Sequence, residues 1–197
     1  MPKNRSSAQN IDETRRERWG KKKHSMRFYN IIFARYDELY AIEQDIKYNL
    51  ILRSFRKNSL KMVLDIGCGS GLFLEKIINI SKMRVGIDFS QKMLTNAKKI
   101  NALTHYICAD ADYLPLRERV FDSVFAFTVI QNIPDPKSTL LEMIRVAKRE
   151  SFFGITFPNN VNLDEKVLNW FKDVGMSSQE MVNDTGLKDR VFICRIE

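Results

Sequence analysis

Histidine and cysteine, the usual carriers of nucleophilic and metal chemistry, are scarce in this 197-residue chain, which has two of the first and three of the second. Cys68, Cys108 and Cys194 lie far apart and are odd in number. That excludes a disulfide framework and a zinc knuckle, so no metal is expected and a reducing cytoplasm is the simplest home. His24 falls beside a run of lysines and His105 opens a strand-like stretch. Neither completes a Ser-His-Asp or Cys-His set. Long apolar runs are missing as well. None approaches the roughly 18 residues of a membrane span, and the polar, basic beginning has no apolar core of a secretion signal. No membrane partner is expected.

What is present suits a soluble globular domain: 44% apolar and 28% charged residues, enough chain to bury a real core in one unit. The net charge of +8 is unevenly placed. Residues 1–30 hold nine basic side chains against Asp12, Glu13 and Glu17, so six of the eight charges sit there. Basicity belongs to an arm, and the rest of the chain is close to balanced. We read residues 1–24 as a basic, mostly disordered tail, 25–57 as an N-terminal helical cap and 58–197 as the core. Leu39, Ile42, Ile46 and Leu50 recur at spacings of three and four, which predicts one buried helix face.

Strands and helices then alternate. Apolar stretches at 62–66, 83–88, 104–109, 121–127 and 152–157 read as strands. Between them fall helical patterns over 72–80, 90–99 (Ser90 as N-cap) and 137–148, followed by 163–174 with Gly175 at its end. Two β-rich stretches, 176–183 and 190–196, flank Asp184-Thr185-Gly186, a hairpin signal. The fold class is α/β: a mostly parallel sheet with helices on both faces, closed by an antiparallel terminal strand.

Three of the eight glycines stand at alternate positions in VLDIGCGSG, residues 63–71. A strand ending in such a turn and opening a helix brings backbone close to a ligand. Asp88, 17 residues beyond Gly71, ends the next strand, where a carboxylate accepts from ribose hydroxyls. Dinucleotide sites usually carry G-x-G-x-x-G, with the helix N-terminus open to a pyrophosphate. Here the third glycine comes one residue early, and Asp65 precedes the turn. A carboxylate there repels phosphate and suits an ammonium. S-adenosylmethionine has an ammonium and a sulfonium and no phosphate, so the turn favours a methyl donor over a hydride carrier.

Four motifs in order strengthen this: VLDIGCGSG (63–71), GIDFSQKML (86–94), ADADYLPL (109–116) and FDSVFAFTVIQNIPDP (121–136). The chain resembles a class I S-adenosylmethionine-dependent methyltransferase of type 11, over about residues 30–197. The resemblance implies a Rossmann-like, seven-stranded sheet with a reversed seventh strand, and S-adenosyl-L-methionine as cofactor. It implies that Asp65, through water, and Gly67 and Gly69 hold the methionine end, with Cys68 and Gly71 in the same cofactor-binding turn; from its place between glycines Cys68 itself reads as a small filler. Asp88 would bind the ribose and Phe89 would lie on the adenine, unless Phe89 is simply core. Asp110 and the Ala111 N–H would read the adenine edge, while Asp112 reads as a solvated turn residue. The segment from Phe127 to Asn132 would border the sulfonium.

On the acceptor side stand Thr128, Gln131 and Asn132. Many relatives carry a histidine where Gln131 or Asn132 stands, and an amide is no base, which leaves the catalytic residues unassigned. Either amide also suits a plain polar turn. Phe33-Ala-Arg-Tyr36-Asp37 resembles the family's N-terminal Tyr-Asp element, so Tyr36 fits either a cover over the donor or a core position. Connections after the fifth strand are too short for a lid, so the cover must come from 25–57 or from a partner. The basic arm suits RNA binding through phosphate contacts and stacking, or a solubilising tail. The acceptor class stays open among RNA, a small molecule and a protein side chain, with the first two favoured, and a small activator protein is a further partner class. The competing reading is a catalytically silent, methyltransferase-like subunit that binds RNA or a partner.

Overall fold

The computed structural model describes residues 7–55, 60–159, 161–182 and 187–196. Two helices, α1 (Ser7–Ile32) and α2 (Tyr36–Ser54), precede the alternating region. There follow β1 (Met62–Ile66), α3 (Leu72–Lys76), β2 (Met83–Asp88), α4 (Gln91–Ile100), β3 (His105–Cys108) and β4 (Phe121–Phe127). Then come α5 (Pro136–Val146), β5 (Ala147–Pro158), α6 (Val161–Asp173), β6 (Met176–Val182) and β7 (Asp189–Ile196).

The seven strands form one sheet in the order β3-β2-β1-β4-β5-β7-β6. The five from β3 to β5 are parallel, and β7 runs antiparallel to both its neighbours. The expected α/β sheet with a reversed terminal strand is therefore what forms; the predicted hairpin turn at 184–186 lies outside the described residues. Strand order reverses between β1 and β4, which leaves a crevice beyond their C-terminal ends, the usual ligand position in such sheets.

Both faces of the sheet are packed. On one, Leu140, Met143 and Val146 of α5 and Val167 and Phe171 of α6 cover the strands. On the other, Tyr48, Ile51, Phe73, Leu74 and Leu94 from α2, α3 and α4 do so. Phe73, Phe125 and Phe127 sit with ring centroids 4.6 to 5.8 Å apart. Each such buried ring contributes roughly 1.5–3 kcal/mol.

Two expectations fail here. The region read as a disordered tail is helical from Ser7, continuous with the cap: its half-buried Lys22 lies against the domain together with Met26 and Tyr29 of the cap. On α2 three of the four expected core positions also face outward, and Leu50 alone of them is partly buried against the core. The buried residues of α2 are Gln44, Lys47, Tyr48 and Ile51, whereas Leu39, Ile42 and Ile46 are 58%, 83% and 42% exposed. Lys47 tolerates burial because Asp189, itself buried, lies 2.5 Å from its ammonium. That partner comes from the far end of the chain, so no local pattern announces it.

Candidate functional site

The glycine turn is built around carboxylates. Gly67 and Cys68 donate their N–H groups to the Ile87 carbonyl (2.7 and 3.0 Å), which fastens the end of β1 to β2. Gly69 N–H donates to Asp88 Oδ2 at 3.0 Å, and Ser90 N–H to Oδ1 at 2.7 Å. The turn takes left-handed backbone at Gly67, Gly69 and Gly71 (φ 70°, 54° and 81°). A side chain on Gly67 would put its Cβ 2.2 Å from Val129 Cγ2, so only glycine lets β1 and the segment after β4 approach this closely.

Asp65 lies beneath the turn, 2% exposed, and its Oδ1 has no hydrogen-bond partner. Burial pushes its carboxyl well above the ordinary range, and the nearby Asp88 carboxylate adds to the rise. Burial also raises Asp88, against the lowering effect of the Ser90 and Gly69 N–H donors. A buried, orphaned carboxyl beside a second one is costly unless a cation or donor completes it.

A cleft of about 830 Å³, counted to its open mouth, lies beyond these strand ends. Gly67, Gly69, Asp88, Phe89, Asp110 and Ala111 line it, as do Phe127, Thr128, Asn132 and Tyr36. The structure thus brings together ten of the fourteen positions singled out from sequence. It does not place Asp65, Cys68, Gly71 or Gln131 on the wall. Cys68 packs into the core against Gly86 and Leu74. Gly71 faces Tyr106. Gln131 and Asn132 both donate to the Thr128 carbonyl (2.7 and 3.3 Å), stapling the turn after β4.

Four wall residues come from α1: Lys22, Ser25, Met26 and Tyr29. Lys22 Nζ lies 2.7 Å from Asp110 and 2.5 Å from Asp112. Burial alone would depress this lysine; the two carboxylates reverse that and hold it above the usual range. Asp112 is 8% exposed and also accepts from the Thr139 hydroxyl at 2.5 Å, so its reading as a solvated turn residue is corrected. Arg18 pairs with Asp135 at 2.7 Å. The rings of Trp19 and Phe89 meet edge-on at 5.8 Å, and Ser90 Oγ bonds Asn30 Oδ1 at 2.6 Å. At the start of α2, the Ser70 hydroxyl donates to Asp37. The cover reaches well before residue 25. Trp19, Lys22, Met26 and Tyr29 recur at three and four residues, a helical period that would have revealed it.

Comparison with known proteins agrees with this geometry. Residues 64–155 match the family described as "Methyltransferase domain". The chain therefore carries a methyltransferase domain over those residues. It is 32% identical over 159 residues to the malonyl-[acyl-carrier protein] O-methyltransferase of a Marinomonas species, covering 78% of this chain and 57% of that one. The chain spans about half the length of the curated relatives it matches. Among solved structures it resembles magnesium protoporphyrin IX methyltransferase from Synechocystis with bound SAM, at a TM-score of 0.72 and 16% identity over 90% of this chain and 97% of that one. A Haloferax volcanii methyltransferase solved with the Trm112 methyltransferase activator gives a TM-score of 0.71 at 18% identity, covering 82% and 93%. These likenesses are of fold.

The donor set fits the family's cofactor. The orphaned Asp65 oxygen suits a buried ammonium, Asp88 a pair of hydroxyls, and Asp110 with the Ala111 N–H an adenine edge. The lysine on the wall, Lys22, is tied to carboxylates, so nothing on that side is set for phosphate.

Proposed function

We propose that this chain is a methyltransferase that holds S-adenosylmethionine in the cleft beyond β1, β2 and β4 and presents it to an acceptor entering beside Thr128. The observation that carries the reading is the buried Asp65 carboxyl, whose Oδ1 lacks a partner, under a glycine turn whose neighbour Asp88 is already oriented by two backbone donors. Asp65 would face the methionine ammonium and Asp88 the ribose, while Phe89, Asp110 and Ala111 would take the adenine. When bound, the cofactor supplies an activated methyl on a sulfonium, so the protein needs no covalent intermediate. Its residues then orient the acceptor and exclude water. Phe127 and Val129 line the wall where the methyl would lie, and α1 covers the mouth.

Calorimetric titration with S-adenosylmethionine and its demethylated product tests this. Saturable binding, weakened at least tenfold in Asp88→Ala, supports it; absence of binding to either compound sinks it. Transfer of labelled methyl to fractionated RNA, protein and metabolite pools then identifies the acceptor class.

The exposed stripe Leu39, Ile42 and Ile46 on α2 favours a second reading, in which the domain also docks a partner protein, an activator among them. Ile42→Glu would abolish that association and leave donor binding unchanged. RNA binding through the basic arm is a third reading, carried by α1 instead, although Arg18 and Lys22 are already engaged with the domain. Removal of residues 1–24 tests it: RNA affinity that is unaltered and equally salt-dependent discards the role.

A further inference from the structure

Beside the donor cleft lies a second cavity, sharing Tyr29, Tyr36, Thr128 and Asn132 with it. It measures about 540 Å³ with its open mouth included. One wall is a run of aromatic rings. Phe28 and Tyr29 have centroids 5.4 Å apart, Tyr29 and Tyr36 6.2 Å, Tyr36 and Tyr40 5.0 Å.

The opposite wall is charged: Glu43, Lys47 and Asp189. Lys47 is 2% exposed, and its three N–H bonds are committed. Nζ lies 2.5 Å from Asp189 Oδ2, 3.2 Å from Glu43 Oε1 and 3.3 Å from Thr128 Oγ1. Lys188 touches Glu43 at 3.7 Å from outside, with its own side chain 85% exposed. Among the described residues lining this cavity, two carboxylates therefore stand against one cation with no donor to spare. A carboxylate or phosphate ligand would face two carboxylates, with the one lining cation already committed to them. A cation, or a group becoming one, would meet two carboxylates and a wall of aromatic faces.

We propose that this cavity is the methyl-acceptor subsite and that it takes a small amine with an aromatic or apolar body. The proposal rests on the methyltransferase reading and names its substrate class. It also accounts for the lack of a histidine base, since neither His24 nor His105 lines either cavity. An amine enters as its free base, having left one proton to solvent. Its nitrogen lone pair forms the N–CH₃ bond as the S–CH₃ bond breaks, and that bonding pair stays on sulfur as a neutral thioether. Positive charge thus passes from sulfur to nitrogen, and the product is a methylated ammonium that keeps its protons. No base acts in the transfer, and Glu43 and Asp189 stabilise the arriving charge. Thr128, which donates to Asp189 at 2.5 Å and adopts a left-handed backbone (φ 55°), sits between the two cavities as a positioning residue.

Three probes with one aromatic body test this: 2-phenylethylamine, 4-ethylphenol and 3-phenylpropionate. Each is titrated calorimetrically into the full chain saturated with S-adenosylhomocysteine. The amine should bind at least tenfold more tightly than the other two, and label from the donor should appear on its nitrogen. Glu43→Gln should weaken the amine at least fivefold while leaving the S-adenosylhomocysteine affinity unchanged. Asp189→Asn, which removes half of a buried pair, is accompanied by a melting curve; Glu43→Gln decides if it unfolds. Phenol or carboxylate binding equal to the amine, or amine binding indifferent to Glu43→Gln, overturns the proposal. Failure of S-adenosylhomocysteine itself to bind strikes the methyltransferase reading instead.

Discussion

Lys22 of α1 and Asp110, two residues past β3, form an ion pair with Nζ 2.7 Å from both carboxylate oxygens. The family likeness assigns the same carboxylate to the adenine amino group. One acceptor thus has two suitors, and the helix that covers the cleft competes for the adenine end of it.

Replacing Lys22 with Met should therefore tighten S-adenosylmethionine binding, by about twofold to fivefold for one partly exposed charged contact. Raising salt should tighten the wild type by screening the Lys22 and Arg18 pairs, and should do less for the variant. Titrations at two ionic strengths check both. Weaker binding by Lys22→Met would make the lysine a donor-holding group.

Asp65 gives a pH signature. Its carboxyl is raised by burial and by Asp88, so its contribution to stability is fully present below the ordinary carboxylate range and lost as pH rises through the raised value. Asp65→Asn keeps the shape and removes the charge. Its melting temperature should match wild type in acid and exceed it on the alkaline side, while stabilisation by S-adenosylmethionine disappears. Parallel melting profiles at all pH values would contradict this.

Gly67→Ala should cost about 2–4 kcal/mol, from its left-handed backbone and the collision with Val129. Adding Val129→Ala should recover the collision and leave the backbone cost. Gly20, in α1 with nothing within 4 Å of an added Cβ, is the control: Gly20→Ala should stabilise by roughly 0.5–1 kcal/mol. Urea unfolding measures all three.

Lys47→Met would leave Asp189 buried and unpaired, at a cost of about 3–5 kcal/mol. The double variant with Asp189→Leu should regain most of that loss, because two apolar groups replace two charges. A double variant no better than the single one would show that the pair does more than neutralise itself.

The sheet and the turn were legible because their signals are local. Alternating apolar stretches set the strands, and glycines at 67, 69 and 71 set the phosphate-averse turn. The cover and the second cavity were harder, for different reasons. The charges of Arg15, Arg16 and Lys21 to Lys23 masked the three-four spacing from Trp19 to Tyr29. On α2 the apolar spacing was real and pointed outward, since the position of Lys47 is decided by Asp189 on β7, 142 residues later. Asp112 was misread for the same reason: Thr139 and Lys22, which bury it, are distant in sequence.

No side chain of α1 belongs to either hydrophobic cluster among the described residues. The helix is fastened by Arg18, Lys22 and Asn30 and by edge contacts of rings. Its detachment need not disturb the sheet, so amide protons of α1 should exchange by local opening long before those of β1 and β4. The domain carries two stabilities, a large one for the scaffold and a small one for the door, and access to the cleft is set by the second.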